Sequence, residues 1–364
     1  MKYTNEELCY IWLDSFLGLE YRHKQKLFGM VADSLNIGEV LSRGRDYLIS
    51  EIGEGLFNTV KNSANPAYLD YLLKGLKRRN IKAITLHSDE YPEALKNTPV
   101  PPLVLYAKGD TGLLKGEILG IVGSRKSLPL SLRIAENYAK CLSECGFTLV
   151  TGIAEGVDAA VIRKTLDSDG KIISVIAGGF DNIYPKTHLP LFEEIAEKGL
   201  VISESPPETV PLKYFFPVRN RIIAGLSRGV IVISGGLKSG TLYTAEYAGE
   251  YGKDLFCVPY SVGIASGAGC NELIKRGAML TDSPEDVTEF YGKNNIEEKI
   301  ILTDDEKAVT VSLKDGAKHI DVICRDTHKK IHELMPLISS LEIKGILAKT
   351  GVNVYGLTRT GSEE

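Results

Sequence analysis

The chain has 364 residues, enough for one large domain or two to three ordinary ones. Apolar residues make up 43% of it and charged residues 25%, a balance typical of a folded, water-soluble protein. The formal net charge of -4 excludes a global basic excess, so any surface for a polyanion must be local.

The cysteines and the N-terminus bear on compartment. The six cysteines are scattered, and only Cys141 and Cys145 are close; their spacing without a second pair favours helix core over a metal site. Unpaired cysteines suit a reducing cytoplasm. Acidic residues stand where a signal peptide needs basic ones, and no apolar run approaches the roughly 20 residues of a membrane span. We expect a cytoplasmic protein without metal or membrane segment.

Residues 1–85 are predicted to form a small helical domain. Apolar residues recur at helical spacing in "NEELCYIWLDSFLGL", "EYRHKQKLFGMVADSL" and "PAYLDYLLKGLKRRN". The basic clusters of these segments are more typical of solvated helix faces than of binding sites. A proline-rich join, "YPEALKNTPVPPLVLYAKGD", follows, and its prolines favour an extended entry into a strand.

Residues 86–292 have a different pattern, in which apolar runs alternate with helical stretches. The runs are "ILGIVGS", "FTLVTG", "KIISVIAGG", "LVISES", "GVIVIS" and "DLFCVPY". They are continuous rather than alternating, which is typical of a parallel sheet covered by helices on both faces. The spacing predicts βαβ units and an α/β, Rossmann-like doubly wound domain.

The C-terminal part is predicted to be a linker, residues 293–318, followed by a winged helix, residues 319–364. The linker stretch is polar. The tail gives a helical pattern ending at Gly351 and a short strand, "VNVYGLT". Its supposed recognition stretch, "MPLISSLEIKGIL", contains one lysine, so a protein–protein or regulatory role is at least as favoured as duplex binding.

Several predicted strands end in loops rich in glycine, hydroxyl and basic residues. Because the carboxyl ends of parallel strands meet at one edge, where ligands bind, these loops are expected to collect their cations there. We call this edge the rim. Its expected cations are Arg125, Lys126, Lys186, Lys213, Arg219, Arg221 and Lys238. A nearly neutral chain can therefore carry a concentrated positive surface.

Two of these loops are predicted to bind phosphate. The turn Gly123–Arg125, with Ser124 between, exposes backbone N–H groups and the positive end of a helix dipole. After the fifth run, glycines allow close backbone approach, and Ser239, Gly240 and Thr241 open the next helix. The chain lacks the Walker pattern and any strand ending in Gly-x-Gly-x-x-Gly, so ATP hydrolysis and dinucleotide binding lose support.

The stretch "FFPVRNRIIAGLSRG" is the most unusual in the chain. Arg219, Asn220 and Arg221 open an apolar helix, and arginines clamp phosphates with two hydrogen bonds. Phe216 and its neighbour Phe215 offer rings on which unpaired bases can stack. In the alternative interpretation the rings fill the core, and the arginines pair with Glu204 or Asp181; we do not expect this of both arginines.

Residues for catalysis are few. No nucleophile elbow of the form Gly-x-Ser-x-Gly occurs, and His188 is the one histidine of the presumed rim. Asp158 and Asp181 are candidates for acid–base work, but each follows a glycine closely and is equally suited to capping. Phosphate-binding loops without a base or nucleophile predict a binding surface rather than an enzyme.

The ordered motifs "GSR", "TGIAEGVDAA", "GGFDNIYP", "ISESPP", "FPVRNRIIAGLS", "SGTLYTAEYA" and "GAGCNELIKRGA" resemble the DNA-processing protein A family, also called DprA or Smf. The match covers about residues 115–290. The flanks are similar too: the N-terminal helices resemble the family's sterile-alpha-motif-like (SAM-like) domain, and the tail resembles its winged helix.

The resemblance implies a bacterial cytoplasmic protein that binds single-stranded DNA, loads RecA recombinase onto it and so supports natural transformation and homologous recombination. It also implies an extended Rossmann core, a homodimer formed through that core, and no cofactor. By position, Arg125, Lys186, Lys213, Arg219 and Arg221 match the DNA-contacting basic residues of the family.

Three positions depart from the family's pattern, and one alternative function remains. Glu155, Ile162 and His188 stand where the family usually has arginine, histidine and asparagine, which weakens any catalytic role there. The loop "SGGLKSGTLYTAE" also looks like the Pro-Gly-Gly-x-Gly-Thr-x-x-Glu loop of lysine-decarboxylase-like nucleotide hydrolases, in which Glu246 would be the acid or nucleophile partner. The loop here is longer by one residue.

Overall fold

Residues 1–295 and 296–364 pack as two separate units. The computed structural model describes residues 3–16, 19–31, 35–293, 302–344 and 346–358. Within these ranges no helix combines the length and the apolar content that crossing a membrane requires.

Helices open the first unit: α1 (Asn5–Asp14), α2 (Tyr21–Met30), α3 (Ile37–Arg43), α4 (Arg45–Ser63) and α5 (Pro66–Arg78). The side chains of Thr4 and Glu7 cap the start of α1 reciprocally. Trp12 is fully buried among these helices and donates its Nε1–H to Ser63 Oγ at 3.0 Å. The three helices expected from the sequence are confirmed, and α3 and α4 lie within residues 1–85, the part of the chain predicted to be helical.

A nine-stranded sheet forms the centre of the first unit. Its order is β1-β2-β6-β5-β4-β3-β7-β8-β9. The strands are β1 (Lys82–Thr85), β2 (Val104–Gly109), β3 (Ile118–Val122), β4 (Thr148–Thr151), β5 (Lys171–Val175), β6 (Leu200–Ser203), β7 (Gly229–Val232), β8 (Asp254–Cys257) and β9 (Met279–Leu280). From β6 to β9 all pairs are parallel, whereas β2 joins β1 and β6 antiparallel. The predicted α/β, Rossmann-like fold is confirmed, with an added antiparallel edge.

Helices cover both faces of this sheet. They are α6 (Glu93–Lys96), α7 (Pro129–Glu144), α8 (Val157–Asp167), α9 (Leu189–Lys198), α10 (Phe215–Leu226), α11 (Thr241–Glu250), α12 (Ala268–Lys275) and α13 (Pro284–Phe290). Alternate residues of β3 enter opposite apolar layers: Leu119 and Ile121 belong to one, Ile118 and Val122 to the other. Burial on both faces explains why the strands are continuous apolar runs.

The direction of strand order reverses at β3. The chain adds β4, β5 and β6 on one side of β3, and then crosses over to add β7, β8 and β9 on the other. In open α/β sheets such a reversal leaves a crevice at the carboxyl ends of the two strands that flank it. The loops after β3 and β7 therefore meet at the place where ligands bind in this architecture.

The second unit contains α14 (Asp304–Ser312), α15 (Ile320–Thr327), α16 (Ile331–Ile343) and a sheet of β10 (Lys318–His319), β12 (Val354–Leu357) and β11 (Leu347–Gly351), in that order. α14 lies inside the stretch predicted as a linker. The helical pattern expected to reach Gly351 ends at Ile343, because residues 347–351 pair with β12 through a turn at Asn353, where φ is 55°. The winged helix and the domain boundaries remain predictions.

Candidate nucleic-acid interface

The loops after β3, β4 and β7 are hydrogen-bonded to one another at the carboxyl edge of the sheet. Ser124 donates its backbone N–H to Ser234 Oγ at 3.2 Å, and its carbonyl accepts from the backbone N–H of Val157 at 3.3 Å. Ser127 Oγ lies 3.1 Å from Ser234 Oγ. The backbone N–H of Ser124, which the sequence analysis predicts to bind a phosphate, is therefore already hydrogen-bonded within the protein.

The loops after β5 and β6 join the same edge. The backbone N–H of Gly179 donates to Thr209 O at 2.8 Å, and that of Asp181 donates to Pro207 O at 3.0 Å. His188 Nδ1 lies 2.8 Å from Ile153 O, which ties this group to the loop after β4. The strand-end loops therefore gather on one rim, as the strand pattern predicted.

Gly123 is required by the close approach of α8 to the loop after β3. A Cβ atom at this position would lie 2.5 to 2.9 Å from three side-chain atoms of Val157. Real Cβ atoms do not approach carbon that closely, so any other residue would push α8 away from the turn. The position of Arg125 depends on this packing, because Arg125 follows two residues later.

Five of the predicted cations are exposed on the rim. They are Arg125, Lys126, Lys186, Lys213 and Lys238. Among the described residues, no carboxylate forms an ion pair with any of the five. They come from the loops after β3, β5, β6 and β7, so their charges concentrate at the edge where the loops meet.

An aromatic pair lies beside Arg125. Its guanidinium carbon is 5.1 Å from the centroid of the Phe216 ring, and the Tyr184 ring meets Phe216 edge-on at 5.6 Å. These three side chains line a cavity of about 80 Å³ together with Glu155 and Arg219. Tyr184 is 55% exposed, whereas Phe216 is half-buried. The rim thus combines a cation with ring faces that water reaches.

Arg219 departs from the expectation of a free rim cation. It is buried, and its guanidinium donates to the carbonyl of Val175 at the end of β5. Burial lowers the pKa of Arg219 to about 10, with the charge of Asp158 acting in the opposite direction, so Arg219 is still protonated at neutral pH. Burial likewise raises the pKa of Asp158, which Arg219 opposes. Arg219 still lines the small cavity and places a positive charge there.

The expectation that Arg221 stands on the rim is wrong. Arg221 is buried, donates to Val100 O at 2.6 Å and forms an ion pair with Glu204. Burial raises the pKa of Glu204, although Arg221 opposes that effect. The reason is position on α10: the helix turns residue 221 toward the sheet and the join. Asp181, the other acid considered for the arginines, pairs instead with Arg79.

The predicted phosphate loop after β7 is held by its own hydroxyl groups. Ser239 Oγ donates to Thr241 Oγ1 at 3.0 Å and accepts from the backbone N–H of Thr241 at 3.3 Å. Asn220 Nδ2 donates to Gly240 O at 3.2 Å, so α10 fixes the entry to α11. Gly240 is exposed and Thr241 is buried. Contact of these residues with phosphate remains a prediction.

Sequence reasoning missed two aromatic residues of this region, Tyr184 and Tyr214. Tyr214 is 63% exposed and its ring meets Phe215 edge-on at 4.7 Å. The available signal was proximity in sequence: Tyr184 precedes Lys186 by two residues, and Tyr214 follows Lys213 directly. Aromatic residues next to rim cations are candidates for stacking on bases.

The departures from the family's pattern differ in their surroundings. Ile162 is fully buried, His188 is buried, and Glu155 is exposed at the small cavity. Glu246, the residue on which the hydrolase alternative depends, is exposed on α11; that alternative stays untested. Across the described residues, no group of three or more His, Cys, Asp or Glu side chains is arranged to hold a metal ion.

Comparison with known proteins agrees with this architecture. Residues 82–292 match the family model described as DNA recombination-mediator protein A. The DNA processing protein DprA of Bacillus subtilis (strain 168) is 40% identical over 241 residues, which cover 65% of this chain and 81% of that protein.

Two solved structures are similar over long stretches. The X-ray structure of DNA processing protein A from Streptococcus pneumoniae superposes with a TM-score of 0.68 at 34% identity, covering 79% of this chain and 98% of that one. DNA processing protein A from Helicobacter pylori, whose structure was described for its single-stranded DNA binding mode, gives 0.54 at 31% identity, covering 58% and 96%.

Proposed function

The chain belongs to the DNA recombination-mediator protein A family, and from this premise we propose that it binds single-stranded DNA along the rim without performing chemistry on it. The observation that carries the proposal is the group of exposed cations without acidic partners, Arg125, Lys126, Lys186, Lys213 and Lys238, set around the rings of Phe216 and Tyr184.

The two kinds of side chain divide the work of holding a strand. The cations neutralise backbone phosphates and release counterions, so affinity falls steeply as salt rises. The rings give unpaired bases a surface for stacking, which every base can use, so sequence preference is weak. Duplex DNA has no free base faces and gains only the first contribution. The single-stranded DNA binding mode described for the Helicobacter pylori relative supports this assignment.

The surroundings of the candidate acid–base residues support binding rather than catalysis. His188 is buried with Nδ1 beside a backbone carbonyl, and Asp158 is buried below the rim near Arg219. Neither offers a base to a substrate lying on the rim. We therefore assign no catalytic role to His188 or Asp158, and the family resemblance implies no cofactor.

The test compares oligo-dT with duplex DNA of equal length at two salt concentrations. Lys186→Glu and Lys213→Glu reverse two rim charges, and we expect each to weaken oligo-dT binding at least tenfold in fluorescence anisotropy. Lys171→Glu is the matched control, because Lys171 is an exposed lysine at the amino end of β5, the opposite edge of the sheet. Equal effects of all three variants, or none from the rim variants, would refute the proposal.

The finer part of the proposal follows from the family resemblance. In it, the protein is a cytoplasmic homodimer that hands its bound strand to RecA and thereby promotes transformation and recombination. Solution mass by light scattering tests the dimer. The rate at which RecA assembles on a labelled oligonucleotide, with and without this protein, tests loading. An unchanged assembly rate, with single-strand binding intact, would remove the loading role and leave the binding role.

A further inference from the structure

A groove with an apolar lining lies in the first unit, between α5 and the segment that joins β6 to α10. Its volume is about 680 Å³, and rings and aliphatic side chains form most of its wall. The side chains that matter here are Tyr68, Tyr71, Leu72, Val210, Leu212 and Tyr214. The volume is in the range of pockets that hold small organic groups.

Much of this lining is exposed to water. Tyr71 is 52% exposed, Val210 62% and Tyr214 63%. Contiguous apolar surface of this kind usually marks a place where another molecule binds. The rings of Tyr68 and Tyr71 are stacked at 6.2 Å, so the α5 side of the groove is an aromatic wall.

The groove and the rim are linked by shared lining residues around the first turn of α10. Arg219 borders both the small cavity of the rim and a second cavity of about 200 Å³. Tyr214 and Phe215 border that second cavity and also the groove. We infer from these shared lining residues that a strand near Phe216 reaches the groove past the exposed Tyr214.

The charges at the groove mouth decide which part of a strand enters it. Arg79 forms ion pairs with both Asp181 and Glu208, which leaves this trio one net negative charge. A phosphate is repelled there, whereas an uncharged base is not. Arg78 is exposed on the last turn of α5, seven residues after Tyr71 and so on the same helix face. Phosphates outside the groove can meet Arg78 on one side and Lys213 on the other.

We propose that this groove accepts unstacked bases of the single strand that continues from the rim, with Tyr71 as the stacking residue. The inference rests on the proposed function and extends it, because it makes the N-terminal helices a second contact surface for the same strand. The occupant is one chemical class, the nucleobase, held by ring faces without base-specific hydrogen bonds.

The test uses Tyr71→Ala and its matched control Tyr71→Phe. Tyr71 Oη lies 3.5 Å from Glu208 Oε1, and both variants lose that contact, but only Tyr71→Phe keeps the ring. We expect Tyr71→Ala to weaken binding of a long oligo-dT about fivefold or more, and to leave unchanged a short one that covers the rim alone. Tyr71→Phe is expected to bind both like the wild type.

A second measurement uses the wild-type chain and does not depend on folding of a variant. A long oligo-dT carrying 5-iodouracil at successive positions is photo-cross-linked, and the attachment sites are located by mass spectrometry. Cross-links at Tyr68 or Tyr71 support the inference. An oligonucleotide whose flank is abasic keeps its phosphates but offers no base to the groove. We expect it to bind more weakly than the intact long oligo-dT, and Tyr71→Ala to weaken its binding no further.

The outcomes separate the two proposals. If rim variants abolish binding while Tyr71→Ala, the abasic flank and the cross-links show no use of the groove, the inference falls and the rim function stands; the groove then serves another class of partner, such as an apolar peptide. If rim variants have no effect on binding, the proposed function itself fails, and with it the premise of this inference.

Discussion

The guanidinium carbon of Arg125 lies 5.1 Å from the centroid of the Phe216 ring. This contact joins the loop after β3 to the first turn of α10, which are far apart in the chain. A contact between a cation and a ring near the protein surface is worth about 0.5–1 kcal/mol. We expect its larger consequence to be geometric: the ring holds in place a guanidinium that can donate two hydrogen bonds to a phosphate.

Removing the Phe216 ring is expected to weaken both uses of this contact. Phe216→Ala removes a stacking surface worth about 1–3 kcal/mol per base. It also removes the ring that Arg125 contacts, so oligo-dT affinity is expected to fall at least fivefold. Phe216→Tyr keeps the ring and is expected to bind like the wild type. Fluorescence anisotropy measures both. A folded Phe216→Ala protein with unchanged affinity would show that bases do not use this ring.

The salt dependence of oligo-dT affinity is expected to report how many rim cations contact phosphates. For single strands, the slope of log affinity against log salt changes by about 0.7 for each phosphate neutralised. Lys238→Ala and Arg125→Ala are each expected to reduce the slope by about that amount, and the double variant by about twice as much. Lys171→Ala, at the opposite edge of the sheet, serves as control. Identical slopes for all four variants would mean that these cations do not touch the backbone.

The sequence predicts the exposed cations because each lies in a loop that follows a predicted strand. The placement of Arg125 and Lys238 can be predicted without knowledge of side-chain packing, because a parallel sheet brings the carboxyl ends of its strands to one edge. Whether Arg221 is exposed or buried depends on how α10 is rotated against the sheet. It also depends on Glu204, an acid in a different loop, with which Arg221 forms an ion pair. Arg79 pairs with Asp181, which is 102 residues away in the chain. This pair and the groove beside it form only when α5 packs against the loops at the sheet edge, which the sequence does not reveal.

Breaking the ion pair of Arg221 and Glu204 is expected to destabilise the first unit. Arg221 is buried and Glu204 is partly buried, so Arg221→Met removes a charged hydrogen bond and is expected to cost about 1.5–3 kcal/mol of unfolding free energy. Arg228→Met is the control, because Arg228 pairs with Glu117 at 2.9 Å on the surface and is expected to cost about 1 kcal/mol or less.

Urea unfolding followed by tryptophan fluorescence measures this effect, since Trp12 is the sole tryptophan of the chain and is buried in the first unit. Because Arg221 is not on the rim, folded Arg221→Met protein is expected to bind oligo-dT within about twofold of the wild type. Lost affinity in a protein of normal stability would restore Arg221 to the DNA-contacting set.

The second unit is expected to have a stability that depends on pH through Glu306. The Glu306 carboxylate accepts hydrogen bonds from Lys344 Nζ at 2.7 and 2.8 Å and from Ser340 Oγ at 2.7 Å, and these bonds help lower its pKa to about 2. A carboxyl with a lowered pKa in the folded state stabilises it above the unfolded pKa and loses that effect as pH falls. The contribution is therefore complete above about pH 4.5 and disappears toward pH 2.

Glu306→Gln tests this linkage. At pH 7 the variant is expected to be less stable by about 1.5–3 kcal/mol, the usual worth of hydrogen bonds to a charged group. The difference from the wild type is expected to shrink as pH falls below about 4.5. Hydrogen exchange protection of peptides from α14 and α16 measures it within the full chain. Asp304→Asn, a fully exposed acid on the same helix, is the control and is expected to show no such convergence. A wild-type advantage that persists unchanged to pH 2 would contradict the role given to the Glu306 carboxylate.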